Sequence, residues 1–247
     1  MNTSKRADIL LVERGYFESR ARARAAIEGG LVSADGAVVQ KPSERLDAEA
    51  QLVASAPHPY VSRGGVKLEA ALQAFGIDPS GRASLDIGAS TGGFSHVLLQ
   101  RGARRVVAVD VGHGQLHASL NREPRLVSLE GHDIRTLAPA AIGEAPSLIV
   151  IDVSFISLAA VLPAATGLAA EDSVLVALVK PQFEAGRAYL KKGVVRDEDA
   201  QREACERIEV KLAELGWTLI GRIESPIAGG DGNREFLVGA QRRPPHG

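Results

Sequence analysis

The sequence predicts a doubly wound α/β domain with a seven-stranded sheet, preceded by a small α+β module. Three observations predict it. First, the stretch Ser84–Leu99, SLDIGASTGGFSHVLL, reads as strand, glycine-rich turn and helix. Second, apolar runs of strand length recur after Leu85–Ile87, at Arg105–Val109, Leu126–Leu129, Leu148–Ile151, Val174–Val179, Thr218–Ile223 and Glu235–Ala240. Helical patterns separate them at Phe94–Gln100, Gln115–Leu120, Leu158–Leu168 and Asp199–Leu215. Third, the chain before about residue 60 has another texture, with two short basic helices and a few strands.

The 247 residues suffice for one full α/β domain and a small one, and 45% apolar content supplies an ordinary core. A net charge of −1 argues for no particular partner, so any nucleic-acid reading rests on local patches. The single cysteine, Cys205, falls in a helical pattern; it excludes an internal disulfide and fits a reducing cytoplasm. The opening MNTSKRAD leads into a short amphipathic segment rather than a signal peptide, and no apolar stretch reaches membrane-spanning length.

In the small module, Ala7–Arg14 reads as a helix closed by Gly15. Ser19 is a good N-cap for a second helix, Arg20–Glu28, closed by Gly29 and Gly30. Leu31–Val32 and Val38–Val39 flank Ala34-Asp35-Gly36, a hairpin signal, and Leu52–Val53 is a further short strand. Lys5, Arg6, Arg14, Arg20, Arg22 and Arg24 crowd the two helices, and Arg20 and Arg24 lie one turn apart on one face. Such a stripe can follow phosphates, or can be simply a solvated face. The segment RADILLVERGYFESRARARAAIEGGLVSADG resembles the small RNA-binding domain named after ribosomal protein S4, a likeness running from Arg6 to about Val53. That resemblance implies RNA contact through the two helices.

Ala54–Ser62 holds two prolines and no periodicity, and reads as a linker. The expected division is therefore residues 1–60 and 61–247. Lys67–Phe75 has helical spacing and ends at Gly76, with Ser62 and Gly64-Gly65 as its lead-in turn. Lys67 then sits near a helix N-terminus, where the macrodipole disfavours a cation.

The turn after the first large-domain strand is the candidate cofactor site: Asp86, Gly88, Ala89, Ser90, Thr91, Gly92, Gly93 and Phe94. Its expected role is to present backbone N–H groups at the carboxyl edge of the sheet. Ser90 stands where the dinucleotide fingerprint has its second glycine, which lets backbone approach a pyrophosphate. That substitution favours a phosphate-free cofactor such as S-adenosylmethionine over a nicotinamide dinucleotide. Asp110 ends the second strand, where an acid commonly accepts from ribose hydroxyls. Asp133, in the turn GHDIR, can accept from an adenine amino group. Asp152 ends the fourth strand, and Lys180, stopped by Pro181, ends the fifth. Ligands bind outside such strand ends in doubly wound sheets, so four polar tips on one edge point to a site.

YVSRGGVKL, LDIGASTGGF, DVSFISL, LVKPQFE and GNREFL, in that order, resemble the TlyA family of ribosomal RNA 2′-O-methyltransferases. The likeness spans Arg6 to about Ala240. It implies an S4-like domain joined to an FtsJ-like class I (Rossmann-like) methyltransferase. It also implies bound S-adenosylmethionine, a cytidine ribose in ribosomal RNA as target, and a catalytic set that maps onto Lys67, Asp152, Lys180 and Glu235. The implied partner is ribosomal RNA in a subunit or ribosome, with no membrane and no obligatory protein partner. Haemolysin names travel with this family, yet no spanning or useful amphipathic membrane segment supports lysis.

The chemistry explains the residue types. A ribose 2′-OH must lose its proton as it attacks a sulfonium methyl group. An amine can take that proton only if its pKa falls from about 10.4 towards neutrality. On this reading Lys180 is the general base, Lys67 lends a second positive charge, Asp152 orients Lys180, and Glu235 positions Lys67 or the ribose. Glu184–Asp197, carrying Arg187, Lys191 and Lys192, is an expected RNA-facing loop, and Arg63 is a further candidate contact. Phe155 and Phe183 are candidates for lining the site or packing the core. His96, His113, His117 and His132 show no metal-ligand spacing, so no metal is expected. The tail QRRPPHG is expected to be disordered.

Overall fold

A computed structural model describes residues 4–55, 58–229 and 232–243; the side chain of Arg187 and the last four positions of the tail lie outside the described residues. The chain divides into two compact units, Met1–Pro59 and Tyr60–Gly247.

In the small unit, helices Ala7–Glu13 and Arg20–Glu28 bury Leu10, Leu11, Ala23, Ala26 and Ile27 in a core shared with Val32, Val39 and Leu52. Ser19 caps the second helix by accepting from the Arg22 N–H. The hairpin joins Val32–Ala34 to Ala37–Val38 through Asp35 (φ 50°) and Gly36 (φ 81°). Two positive φ values are what a tight two-residue hairpin turn requires, and Asp-Gly supplies them. Leu52–Ala54 pairs antiparallel on the other side of Val32–Ala34. A second ladder, Ser4–Arg6 with Arg45–Asp47, has no periodicity signal because each strand has three residues.

The large unit is built on a seven-stranded sheet. Its strands are β1 (Ala83–Ile87), β2 (Arg105–Asp110), β3 (Leu126–Glu130), β4 (Leu148–Ile151), β5 (Ser173–Val179), β6 (Thr218–Glu224) and β7 (Phe236–Arg242). Across the sheet they run β6-β7-β5-β4-β1-β2-β3, with β7 antiparallel to both neighbours. The order reverses direction at β1 and β4, so the crevice for a ligand opens above Ile87 and Ile151.

Both faces are covered. Helices α1 (Gly64–Phe75) and α2 (Gly93–Gln100) pack Leu68, Leu72, Val97 and Leu98 on Leu148, Val150, Val176 and Leu178. Helices α3 (Leu158–Gly167) and α4 (Glu198–Glu214) pack Val161, Leu162, Ile208 and Leu212 on Ile149, Ile151, Leu175 and Ala177. Neighbours in one strand thus serve opposite layers, which is why the central strands read as unbroken apolar runs. Cys205 is buried on α4.

Two expectations are corrected. Gln115–Leu120 does not form a helix; only Ala118–Leu120 makes a short 3₁₀ turn. The Glu130 carboxylate captures the N–H groups of Gly114, Gln115 and Leu116, so that stretch is tied to β3 instead. Nor is Tyr60–Ser62 free linker. The Val61 N–H donates to His96 Nδ1 at 3.1 Å, and Tyr60 lies edge-on to that imidazole. A Cβ at Gly65 would lie 2.4 Å from the Tyr60 ring, so glycine there lets the segment seat against α1.

Candidate active site

The turn after β1 makes room rather than presenting a row of donors. The Gly88 and Ala89 N–H groups both donate to the Val109 carbonyl, Ser90 N–H to Asp110 Oδ2, and Gly92 N–H to the Ala89 carbonyl. The expected donors are therefore largely spent inside the loop. Gly88 (φ 82°) passes so close to β4 that a Cβ would stand 2.3 Å from the Asp152 carbonyl oxygen. A Cβ at Gly93 would meet the Ser62 hydroxyl at 2.1 Å, which lets the start of α1 close on the turn. Ser90 holds φ 46°, a conformation that a non-glycine residue occupies at a cost, fixed here by its bond to Asp110.

That closure carries Lys67, in the first turns of α1, to the sheet edge. Lys67 and Lys180 are both buried, each 9% exposed. Lys67 Nζ donates to Glu235 Oε2 at 2.5 Å; Glu235 immediately precedes β7, and its carboxylate fills the space that a side chain at Gly229 would need. Lys180 Nζ lies 2.6 Å from Asp152 Oδ1, but off the hydrogen-bonding directions: that oxygen has no hydrogen-bond partner among the described residues. The contact is charge against charge. The directional bond of Lys180 goes to Ser154 Oγ at 2.8 Å. Two amines and two acids from four distant segments thus form two adjacent ion pairs.

Two cavities meet there. The smaller, about 240 Å³, is lined by Ser62, Arg63, Lys67, Thr91, Phe94 and Asp152. The larger, about 770 Å³, is lined by Asp110, Gln115, Asp133, Ser154, Phe155 and Asp152, among others. Gly88, Ser90 and Asp152 line both. Asp86 is placed elsewhere. It is wholly buried beneath the turn, where Ser95 Oγ donates to its Oδ2 at 2.6 Å and its Oδ1 has no partner among the described residues. Burial pushes this carboxyl up to about 7; the Ser95 bond opposes that rise and the nearby Asp152 charge adds to it. Its sequence-based role as a direct ligand does not fit a side chain with no exposed surface.

Asp110 and Asp133 both face the larger cavity, each with local partners. Asp110 Oδ1 accepts from the Gly112 N–H at 2.7 Å. Asp133 accepts from the Arg135 backbone and guanidinium, which hold its pKa below the usual carboxylate range. Glu130, at the tip of β3, is a further polar strand end that the family motifs do not mark. It is held low by three backbone N–H bonds and fixes the loop bearing Gln115. The strand-tip reasoning that singled out Asp110 and Asp133 would have found it. Among the described residues no His, Cys, Asp or Glu group could hold a metal ion.

An FtsJ-like methyltransferase model matches residues 60–242, and an S4 domain model matches residues 5–52. The 16S/23S rRNA (cytidine-2′-O)-methyltransferase TlyA of Mycobacterium tuberculosis is 46% identical over 236 residues, covering 94% of this chain and 88% of that protein. The chain belongs to the TlyA family. A solved protein of Streptococcus thermophilus that carries a hemolysin name is 40% identical, with a TM-score of 0.77 over 98% of this chain and 90% of that one. The fold, though not the sequence, is shared with magnesium protoporphyrin IX methyltransferase of Synechocystis, solved with bound SAH, at 15% identity and a TM-score of 0.51 over 73% of this chain and 82% of that one.

The TlyA-family chain is a methyltransferase that uses S-adenosylmethionine, and its residues fit that cofactor. Three carboxylates, Asp110, Asp133 and Asp152, line the larger cavity, beside a Gly88 that leaves no space for a side chain. No helix among the described residues is long and apolar enough to cross a membrane. In the S4 unit, Asp8 is fully buried and accepts from Arg6 and Arg20, whose guanidinium groups hold its carboxyl at about 2, with the Arg6 bond the larger cause. Lys5 pairs with Glu13, and Arg14 donates to the Ala50 carbonyl at 2.5 Å. Arg20 and Arg24 are exposed on the second helix. Lys191 and Lys192 stand in and beside a short hairpin, Leu190–Lys191 with Val194–Val195, which Asn233 secures through the Val195 N–H and Gly193 carbonyl.

Proposed function

We propose that this enzyme methylates the 2′-hydroxyl of a cytidine in ribosomal RNA, with Lys180 as general base. The observation that carries the proposal is the pair of buried lysines, each set against a carboxylate, with Lys67 and the Asp152 partner of Lys180 lining one cavity. The activity named for the Mycobacterium tuberculosis relative supports the same substrate class. S-adenosylmethionine supplies an electrophilic methyl group on a sulfonium.

Asp152, at the junction of the cavities, holds Lys180 by charge, and its carboxylate would favour a positively charged methyl donor bound there. Asp110 and Asp133, which line the larger cavity, would accept from its adenosine part. Lys180 takes the 2′-OH proton as oxygen attacks, and Lys67, fixed by Glu235, lies against the negative charge growing on that oxygen. Alignment of the reacting atoms supplies much of the remaining acceleration. Arg6, Arg20, Arg22 and Arg24 with Lys5 and Arg14 in the S4 unit, and Arg63, Arg187, Lys191 and Lys192 in the catalytic unit, are the proposed phosphate contacts. A ribosomal substrate fits the reducing cytoplasm that a lone cysteine suggests.

The test is transfer of tritiated methyl groups to purified ribosomal subunits, with mapping of the modified nucleotide. A 2′-O-methylcytidine is expected. Lys180→Met should lower the rate about 100-fold or more while RNA and cofactor still bind. Label on a base, or a Lys180→Met enzyme of normal rate, would overturn the proposal.

A further inference from the structure

We infer that Ser154 is a positioning residue that sets the direction in which Lys180 offers its lone pair. The inference rests on Lys180 being the base.

A lysine base is useful only when its lone pair points at the proton it removes. The amine turns freely about Cε–Nζ unless a hydrogen bond holds it. Asp152 is the obvious anchor, yet its Oδ1 sits 2.6 Å from Nζ without hydrogen-bonding geometry. Such a contact keeps positive charge near the cavity but prescribes little rotation. The 2.8 Å bond to Ser154 Oγ is the directional contact Nζ makes among the described residues. A neutral amine has two N–H bonds and one lone pair. With one N–H committed to Ser154, the lone pair is left the other two tetrahedral positions, and the negative charge of Asp152 repels it from the side its Oδ1 occupies.

The backbone places that hydroxyl deliberately. Ser154 precedes Phe155, which is held at φ 64° although it is bulky and largely exposed. A positive φ at phenylalanine is costly and persists only where the surroundings impose it. They are visible here: Glu184 accepts from the Ser157 hydroxyl at 2.7 Å and from the Leu158 N–H at 2.6 Å. Phe155 also rests on Phe183, with ring centroids 5.4 Å apart. The segment after Asp152 is thus pinned at several points to the segment after Lys180.

Ser154→Ala should lower single-turnover methyl transfer about 10- to 100-fold with the full-length protein and ribosomal subunits, while KM for RNA and cofactor affinity stay within about twofold. Ser154→Thr, which keeps the hydroxyl, should recover most of the rate; Ser154→Val, nearly the same shape, should not. This isosteric pair carries the comparison even if the alanine variant folds poorly. Because Ser154 acts through Lys180, the double variant with Lys180→Ala should be no slower than Lys180→Ala alone. A full rate in Ser154→Ala or Ser154→Val, no gain from Thr over Val, or a double variant slower by both factors would each overturn the inference. A normal rate in Lys180→Ala would instead remove the lysine-base reading beneath it, so the two failures are told apart.

Discussion

Asp86 shows how burial alone changes what a carboxyl does. One oxygen takes the Ser95 hydroxyl, the other has no partner among the described residues, and the group is raised from 3.8 to about 7. For an acid raised on folding, the stabilising contribution is complete below about pH 4 and is lost as pH climbs through about 7. Asp86→Asn keeps an acceptor for Ser95 and cannot ionise. Its stability relative to the parent should therefore rise between pH 4 and 7 and then level off. Urea midpoints measured at pH 5 and pH 8 check this, and an equal difference at both would count against a raised Asp86. Asp110 and Asp152 stand at strand ends, whereas Asp86 lies one residue inside β1. Packing shows that its side chain points down into protein.

At the scale of elements, the β1 turn and the strand tips do the assembling. Gly88 combines φ 82° with a backbone neighbour 2.3 Å from any added Cβ. Gly88→Ala should cost about 1–3 kcal/mol of stability through backbone strain. It should also separate the β1 and β4 tips and weaken S-adenosylmethionine binding at least about tenfold. Calorimetry with the purified variant checks the affinity and a melting curve the stability; unchanged binding would show that the approach to Asp152 is not needed. Strands at this scale were legible, because runs such as Leu148–Ile151 serve two layers and can be little else. The segment Gln115–Leu120 was not legible: its first two backbone donors, at Gln115 and Leu116, are bound by Glu130, a residue outside any local window.

At the scale of the molecule, one unit carries a cofactor cavity and the other a cluster of arginines steadied by a buried acid. Ligand that binds only the folded state must raise stability, so saturating S-adenosylmethionine at about 100 times its Kd should add roughly 2.7 kcal/mol. A melting temperature that does not move with cofactor concentration would contradict the cavity assignment. With a net charge of −1 the whole chain has no bulk attraction for RNA, so affinity must come from local cations. If Arg20 meets a phosphate, Arg20→Ala should reduce the slope of log affinity against log salt by about one. Filter binding of ribosomal RNA across a salt series measures it, and an unchanged slope would show that Asp8 keeps Arg20 for structure alone.

By itself the sequence determined the alternation of strands and helices, the Asp-Gly hairpin, and the motifs that mark the family. These are written in short stretches whose periodicity or backbone demands are local. Which polar residues share a cavity was decided only by the tertiary structure. Lys67 meets Glu235, and Lys180 meets Ser154, because the crossing order of the sheet brings separate strand ends and the start of α1 to one edge. The physical reason is that burial and hydrogen-bond direction depend on every element packed around a side chain, and no single stretch of chain contains that information.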